Sequence, residues 1–164
     1  MTSTINKSTL VKAIVAQLQC ELDTAIKASQ AAHESATHSE NVAENKYDTL
    51  GLEAAYLAHG QSLRIAELQS VINQLENYRC PTFNIDNTIA AGALVTLLDD
   101  SEQQHCVFIS PSTGAMTLTL AGQSVQVVSV KAPLGTMLNR KYCGDEIVLT
   151  INGRSQCYDI VAVQ

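Results

Sequence analysis

Three carboxylates fall close together in the stretch THSENVAENKYD, residues 37–48: Glu40, Glu44 and Asp48. Steps of four place all three on one face wherever that stretch is helical. Carboxylate oxygens are hard ligands, and Mg²⁺ is commonly held by one or two of them together with phosphate oxygens. In a two-metal site such ligands help stabilise both the attacking and the leaving oxygen. A row of acids can therefore complete a site furnished by a partner without a pocket of its own. His33 and His38 lie nearby but share no metal-ligand spacing with Glu40. Tyr47 is an aromatic of the kind that anchors interfaces. The same acids also suit an ordinary solvated turn, since charged side chains mostly face water.

The segments on either side must position this row. Val11, Val15, Leu18, Leu22, Ala25, Ser29, Ala32 and Ala36 follow one another in alternating steps of four and three, the seam of a coiled coil. Asn6, Ser8 or Thr9 can cap the helix that carries them. A second seam runs through Ala54, Ala58, Gln61, Ile65, Leu68, Ile72 and Leu75, small at its start and large at its end. It mirrors the first. Folding back near Ala43 sets Ala25 against Gln61, Leu22 against Ile65 and Leu18 against Leu68. A helical hairpin over residues 1–80 follows, with the acids at its tip and Pro81 stopping the second arm. At ~1.5 Å per residue, arms of about 30 residues project roughly 45 Å. Gly51 and Gly60 each cost about 1 kcal/mol relative to Ala and weaken the distal part of arm two.

After Pro81 the hydrophobic period falls to two. Strands are expected over 92–98, 105–109, 116–120, 125–130, 146–151 and 157–163, with turns at Asp99–Glu102, Pro111–Gly114, Ala121–Gln123 and Asn152–Gly153. Pro133 opens a short helix to Lys141 whose apolar face is Leu134, Met137 and Leu138, residues suited to the core. The fold class is α+β: a long antiparallel coiled-coil hairpin, then an antiparallel β domain with one short helix over residues 81–164.

A net charge of −6 on 164 residues argues against binding nucleic acid through its phosphates. Neither arm carries a cluster of Lys and Arg that would grip RNA. No apolar run reaches the ~20 residues of a membrane span, and the polar start is no signal peptide, so a cytoplasmic protein is expected; a monomer is expected separately, with nothing in the residues to fix it. The five cysteines, at irregular intervals and without CxxC, suit reduced and mostly buried thiols.

Two groups of residues resemble one family, the bacterial transcript-cleavage and elongation factors GreA and GreB. Ser39-Glu40-Asn41 and Glu44-Asn45-Lys46-Tyr47, followed by Arg64-Ile65-Ala66-Glu67-Leu68, are similar to the family's acidic loop and returning arm. Ala132-Pro133-Leu134-Gly135, Leu138, Gly144-Asp145-Glu146 and Tyr158-Asp159-Ile160-Val161 are similar to the signature of its FKBP-like C-terminal domain. The resemblance spans both halves in the right order.

What it implies is a factor that binds RNA polymerase at its secondary channel and meets RNA only within the elongation complex. Lys131, Ala132, Pro133 and Leu134 would touch the channel rim. Glu40 and Glu44 would help hold a Mg²⁺ shared with the polymerase, with Asp48 a third catalytic acid extending the row, so that the polymerase cuts backtracked RNA. No independent active site is expected. The family's loop carries an acidic pair. Matched at Ser39-Glu40-Asn41, the place of its Asp falls on Thr37; matched at Glu44-Asn45, it falls on Asn41. A non-cleaving channel occupant or inhibitor is the alternative. A prolyl isomerase, the other use of an FKBP-like fold, needs an aromatic-lined pocket, and residues 81–164 hold only Phe83, Phe108, Tyr142 and Tyr158.

Overall fold

The computed structural model describes residues 5–37 and 50–164. Two long helices, α1 (Lys7–Thr37) and α2 (Leu50–Glu76), precede the strands in the chain. The chain divides into two compact units, one of Ile14–Glu76 and one of Met1–Ala13 with Asn77–Gln164.

In the helical unit the mirrored seams are the buried positions. On α1, Leu18, Leu22, Ala25 and Ala32 are buried, with Val15 and Ser29 half-buried. On α2, Leu68, Ile72 and Leu75 are buried, and Ala58, Gln61 and Ile65 half-buried. Between residues 56 and 76, Val71 apart, every other position of α2 is exposed. The arms are in register. Arg64 donates to Glu21 across the pair at 3.3 Å, and Ala25, Ala28, Gln61 and Leu68 share a shallow groove beside them. These pairings keep the register that the two seams predict; the expected turn near Ala43 lies outside the described residues. The ion pair is solvent-exposed and contributes at most about 1 kcal/mol, so it sets register more than stability. Gly60, inside α2, has open space where a side chain would stand.

The other unit begins with a helix cap. Asn6 Oδ1 accepts from the amides of Ser8 at 2.8 Å and Thr9 at 3.2 Å, which settles the cap among three candidates. Lys7 then donates to the carbonyls of Pro81 and Gly92 and lies 5.0 Å from the centre of the Phe83 ring. Burial holds its ammonium below the ordinary lysine pKa. The second arm ends at Glu76, earlier than the expected stop at Pro81. The intervening segment is used for packing instead: the Tyr78 hydroxyl and the Pro81 ring crowd Gly92.

Six strands follow: β1 (Leu94–Asp99), β2 (Gln104–Ser110), β3 (Met116–Leu120), β4 (Gln123–Ser129), β5 (Glu146–Ile151) and β6 (Arg154–Val163). They form one sheet in the order β3-β4-β2-β1-β6-β5. The expected antiparallel pairing holds for every neighbour except β2 and β4, which run parallel, so the sheet is mixed. The cause is topological: β3 takes the edge and turns tightly at Ala121-Gly122, which sends β4 back alongside β2. Asn152 (φ 52°) and Gly153 (φ 77°) make the expected tight hairpin between β5 and β6.

One face of the sheet carries a core of Val95, Leu97, Val107, Ile109, Ile147 and Ile160 with their neighbours. Helix α3 (Pro133–Leu138) adds Leu138 to it, and Leu134 and Met137 pack against it. This helix is shorter than expected because Arg140 adopts φ 67° and gives its N–H to Ile89 O at 2.8 Å. The cysteines depart from expectation too. All five are free thiols, but Cys20 is exposed and Cys80, Cys106, Cys143 and Cys157 are only partly covered. Cys20 lies on the solvent side of the seam, so it is not a packing residue. Among the described residues no helix is long and apolar enough to cross a membrane.

Candidate functional site

Glu40, Glu44, Tyr47 and Asp48, along with His38, fall in 38–49, outside the described residues. What is placed is the pair of helices that this segment joins. α1 runs to Thr37, α2 starts at Leu50, and the seams between them narrow to small residues towards those ends: Ser29 and Ala32 on one arm, Ala58 on the other. Small facing residues let helix backbones approach closely. The donor set that the segment carries is carboxylate-rich, the chemistry that suits a hard cation such as Mg²⁺. Among the described residues no group of three or more His, Cys, Asp or Glu side chains is arranged to hold a metal ion.

The expected rim contacts split in two. Lys131 and Pro133 are exposed at the start of α3, whereas Ala132 and Leu134 are half-buried and pack against the sheet core. The segment is well fastened. Ala132 N–H donates to Ser129 O at 2.9 Å, Lys131 N–H to Ser129 Oγ at 3.2 Å and Thr136 Oγ1 to Val130 O at 3.3 Å. Lys131 and Pro133 are thus open to solvent, while Ala132 and Leu134 are taken up by packing against the sheet core.

The structure also brings together a polar group that pattern reading missed. Asp99, 9 % exposed at the end of β1, accepts from the amides of Ser101 and Gln103, each at 2.9 Å, and from His105 Nε2 at 2.7 Å. Tyr158 stands edge-on to the His105 ring, 5.7 Å between centroids. The signal was available: an Asp opening a turn, with a His six residues on, returning on the paired strand.

The His105 hydrogen bond, followed by that from Gln103, holds the Asp99 carboxyl below its usual range. Burial, reinforced by Asp99 and Asp100, pushes the Tyr158 phenol up. The sign for stability follows. A carboxyl whose pKa is depressed on folding stabilises the fold above its unfolded pKa, and that contribution fades as pH falls through the folded value. Asp99→Asn is expected to lower the melting temperature at pH 7 and to flatten its fall below about pH 4, where the unfolded carboxyl titrates. Melting curves taken from pH 7 to pH 3 check this; parallel wild-type and variant profiles would show that Asp99 contributes nothing through its charge.

None of this makes a nucleophile. Cys157 donates to Glu146 Oε1 at 2.9 Å, which pushes its thiol up to about 11, and burial raises Cys80 and Cys106. All three shifts run away from the thiolate, the form that attacks as a nucleophile. The four aromatics of residues 81–164 are dispersed. Phe108 is fully buried, Phe83 lies beside Lys7, Tyr158 beside His105, and Tyr142 is 47 % exposed. A cleft of about 400 Å³ on the sheet unit is bordered by Thr96, Gln104, Cys106, Gln123 and Gln164, and none of the described residues in its lining carries a charged side chain.

No family model matches the chain, and no curated protein does. Solved structures do match. The chain is similar to the transcription factor Gfh1, at 19% identity and a TM-score of 0.41 over 91% of this chain and 92% of that one. It is similar to Gfh1 of Thermus aquaticus at 20% identity and a TM-score of 0.39, over 90% and 92%. It is also similar to a prokaryotic GreA/GreB elongation factor from Nitrosomonas europaea at 17% identity and a TM-score of 0.38, over 68% of this chain and 91% of that one.

Proposed function

We propose that this protein binds bacterial RNA polymerase through the secondary channel, inserting the helical hairpin and delivering the acids of residues 38–49 to the catalytic centre. One observation carries the reading. Two mirrored stripes, identified as seams from their spacing, are the buried faces of α1 and α2, so the acids sit on the segment that joins a matched pair of arms. The sequence resemblance supplies the partner.

Glu40 and Glu44 supply carboxylate oxygens, and Asp48 extends the row. Together with the polymerase, Glu40 and Glu44 would hold a Mg²⁺, which would supply activation of water for cutting backtracked RNA. Lys131 and Pro133 meet the channel rim. The alternative is a non-cleaving occupant. It is favoured by one sequence feature, that either matching of the acidic loop keeps one acid of the family's pair and loses the other.

Backtracked, stalled elongation complexes mixed with wild type and with Glu40→Gln/Glu44→Gln test both. Stimulated RNA cleavage that disappears in the double variant supports the cleavage role. Absence of cleavage with slower nucleotide addition supports the occupant. Failure of the wild type to bind polymerase overturns channel binding altogether.

A further inference from the structure

Strand β5 lies at one end of the sheet, with β6 on one side and no strand among the described residues on the other. The two-residue turn at Asn152-Gly153 makes Ile151 and Arg154 a hydrogen-bonded pair. Such pairs alternate along an antiparallel ladder, so Ile151, Leu149 and Ile147 direct their N–H and C=O groups to β6. The far end agrees, since Ile160 exchanges bonds with Gly144 and Asp145 at 2.7 and 2.9 Å. The backbone groups of Glu146, Val148 and Thr150 therefore point outward from the sheet. Edges of this kind are ordinarily blunted by Lys, Pro or a bulge. β5 reads EIVLTI, and its register with β6 is unbroken from Glu146 to Ile151. Its Val148 and Ile151 side chains are 47 % and 58 % exposed.

We propose that this edge pairs with β5 of a second copy of the chain, antiparallel, with Val148 opposite its own counterpart. The proposal does not draw on the polymerase reading, and it departs from the expected monomer. The outward residues are symmetric about Val148, so an antiparallel copy in that register satisfies every outward group with about six hydrogen bonds. A slip of two residues loses some of them. Glu146 then faces Thr150 of the other copy. Parallel pairing would instead set Glu146 beside Glu146, which is destabilising. The two valines meet on the two-fold axis and cover each other. Charge is complementary at the ends as well. Asp145 and Glu146 open the strand, and Arg154, exposed and without an ion pair among the described residues, follows it across the turn. Antiparallel pairing brings the acidic end of each copy to the Arg154 end of the other. One edge covers less than the ~800 Å² per partner of a stable complex, and each chain carries a net charge of −6, so the dimer is a weak one. The opposite edge, β3, is shorter and uncharged. The same alternation, counted from the turn at Ala121-Gly122, leaves only Thr117 and Thr119 pointing outward there.

Sedimentation equilibrium of the full-length chain, from about 10 µM to about 1 mM, tests this. The expected result is a monomer–dimer equilibrium that Val148→Lys weakens at least ~10-fold, because it sets two like charges on the axis. Thr117→Lys, on the β3 edge, should associate as the wild type does. Amide exchange followed residue by residue reads the register without any substitution. Protection of Glu146, Val148 and Thr150 should rise with concentration, while Ile147, Leu149 and Ile151 are protected throughout. That measurement also decides the matter should Val148→Lys fail to fold. A wild type that stays monomeric over the whole range overturns the inference. So does a dimer that persists undiminished in Val148→Lys, is lost in Thr117→Lys, or leaves the three outward amides exchanging as they do in the monomer.

Discussion

Gly92→Ala should destabilise the sheet unit by about 3 kcal/mol, the sum of a backbone cost of ~1–2 kcal/mol and an overpacking cost of ~1–3 kcal/mol. The first comes from φ 87°, a left-handed conformation that a Cβ disfavours. The second comes from crowding: a Cβ here would stand 2.6 Å from Pro81 Cδ and 2.6 Å from the Tyr78 hydroxyl. A tyrosine hydroxyl can swing aside, but a proline ring moves only with its backbone. The Pro81 backbone is held, because its carbonyl and that of Gly92 both accept from Lys7. Gly92 N–H also donates to Ile109 O at 2.7 Å, so a shift there is felt in β2. Gly122→Ala is the control. Its φ is 78° with no atom near a new Cβ, so it should lose only the backbone part, about 1 kcal/mol. Denaturant unfolding, with hydrogen exchange of the sheet amides, separates the two. Equal losses at both positions would show that the packing against Pro81 is not rigid.

How much of this was legible follows from where each signal is stored. The arms could be read because a coiled-coil seam is a periodic, local pattern, and a mirror in residue size identifies the partner stripe. Strand positions were legible for the same reason, since alternation is local. The parallel pairing of β2 with β4 was not. It depends on β3 taking the edge, and nothing in the residues 116–129 distinguishes a hairpin folded inward from one folded outward. The boundaries of α2 and α3 moved through single tertiary events, the packing of Tyr78 and Pro81 on Gly92 and the left-handed turn at Arg140. The cysteines misled because a thiol's burial depends on which face of a helix or strand carries it, and Cys20 falls outside the seam. Of the candidate site, Glu40, Glu44, Tyr47 and Asp48 rest on sequence, while Lys131 to Leu134 divide by burial into two exposed and two supporting residues. The Asp99–His105 pair joins residues six apart in the chain, and only the turn between β1 and β2 makes them neighbours.

Leu68→Ala should cost about 2–4 kcal/mol of helical-unit stability, against less than about 0.5 kcal/mol for Leu63→Ala one and a half turns earlier. The two leucines share a helix and a substitution, so propensity cancels and burial decides. Leu68 is 3 % exposed and Leu63 is 56 % exposed. A truncated Leu68 leaves a cavity that the neighbouring arm cannot fill without shifting its own register, which the Glu21–Arg64 pair resists. The mirrored register puts Leu18 opposite it, so Leu18→Ala and Leu68→Ala should not add. A coupling of ~0.5–3 kcal/mol is expected for residues that share one cavity. Ellipticity at 222 nm against denaturant measures all four corners of that cycle. The functional consequence has a direction as well. On the proposed reading the acids of residues 38–49 act through the arms that flank them, so Leu68→Ala should lower any stimulation of RNA cleavage under conditions where the sheet amides remain protected from exchange. Leu63→Ala leaves the seam intact and should not loosen the hairpin. Should Leu68→Ala prove as mild as Leu63→Ala, or the double variant additive, the two stripes are not each other's partners.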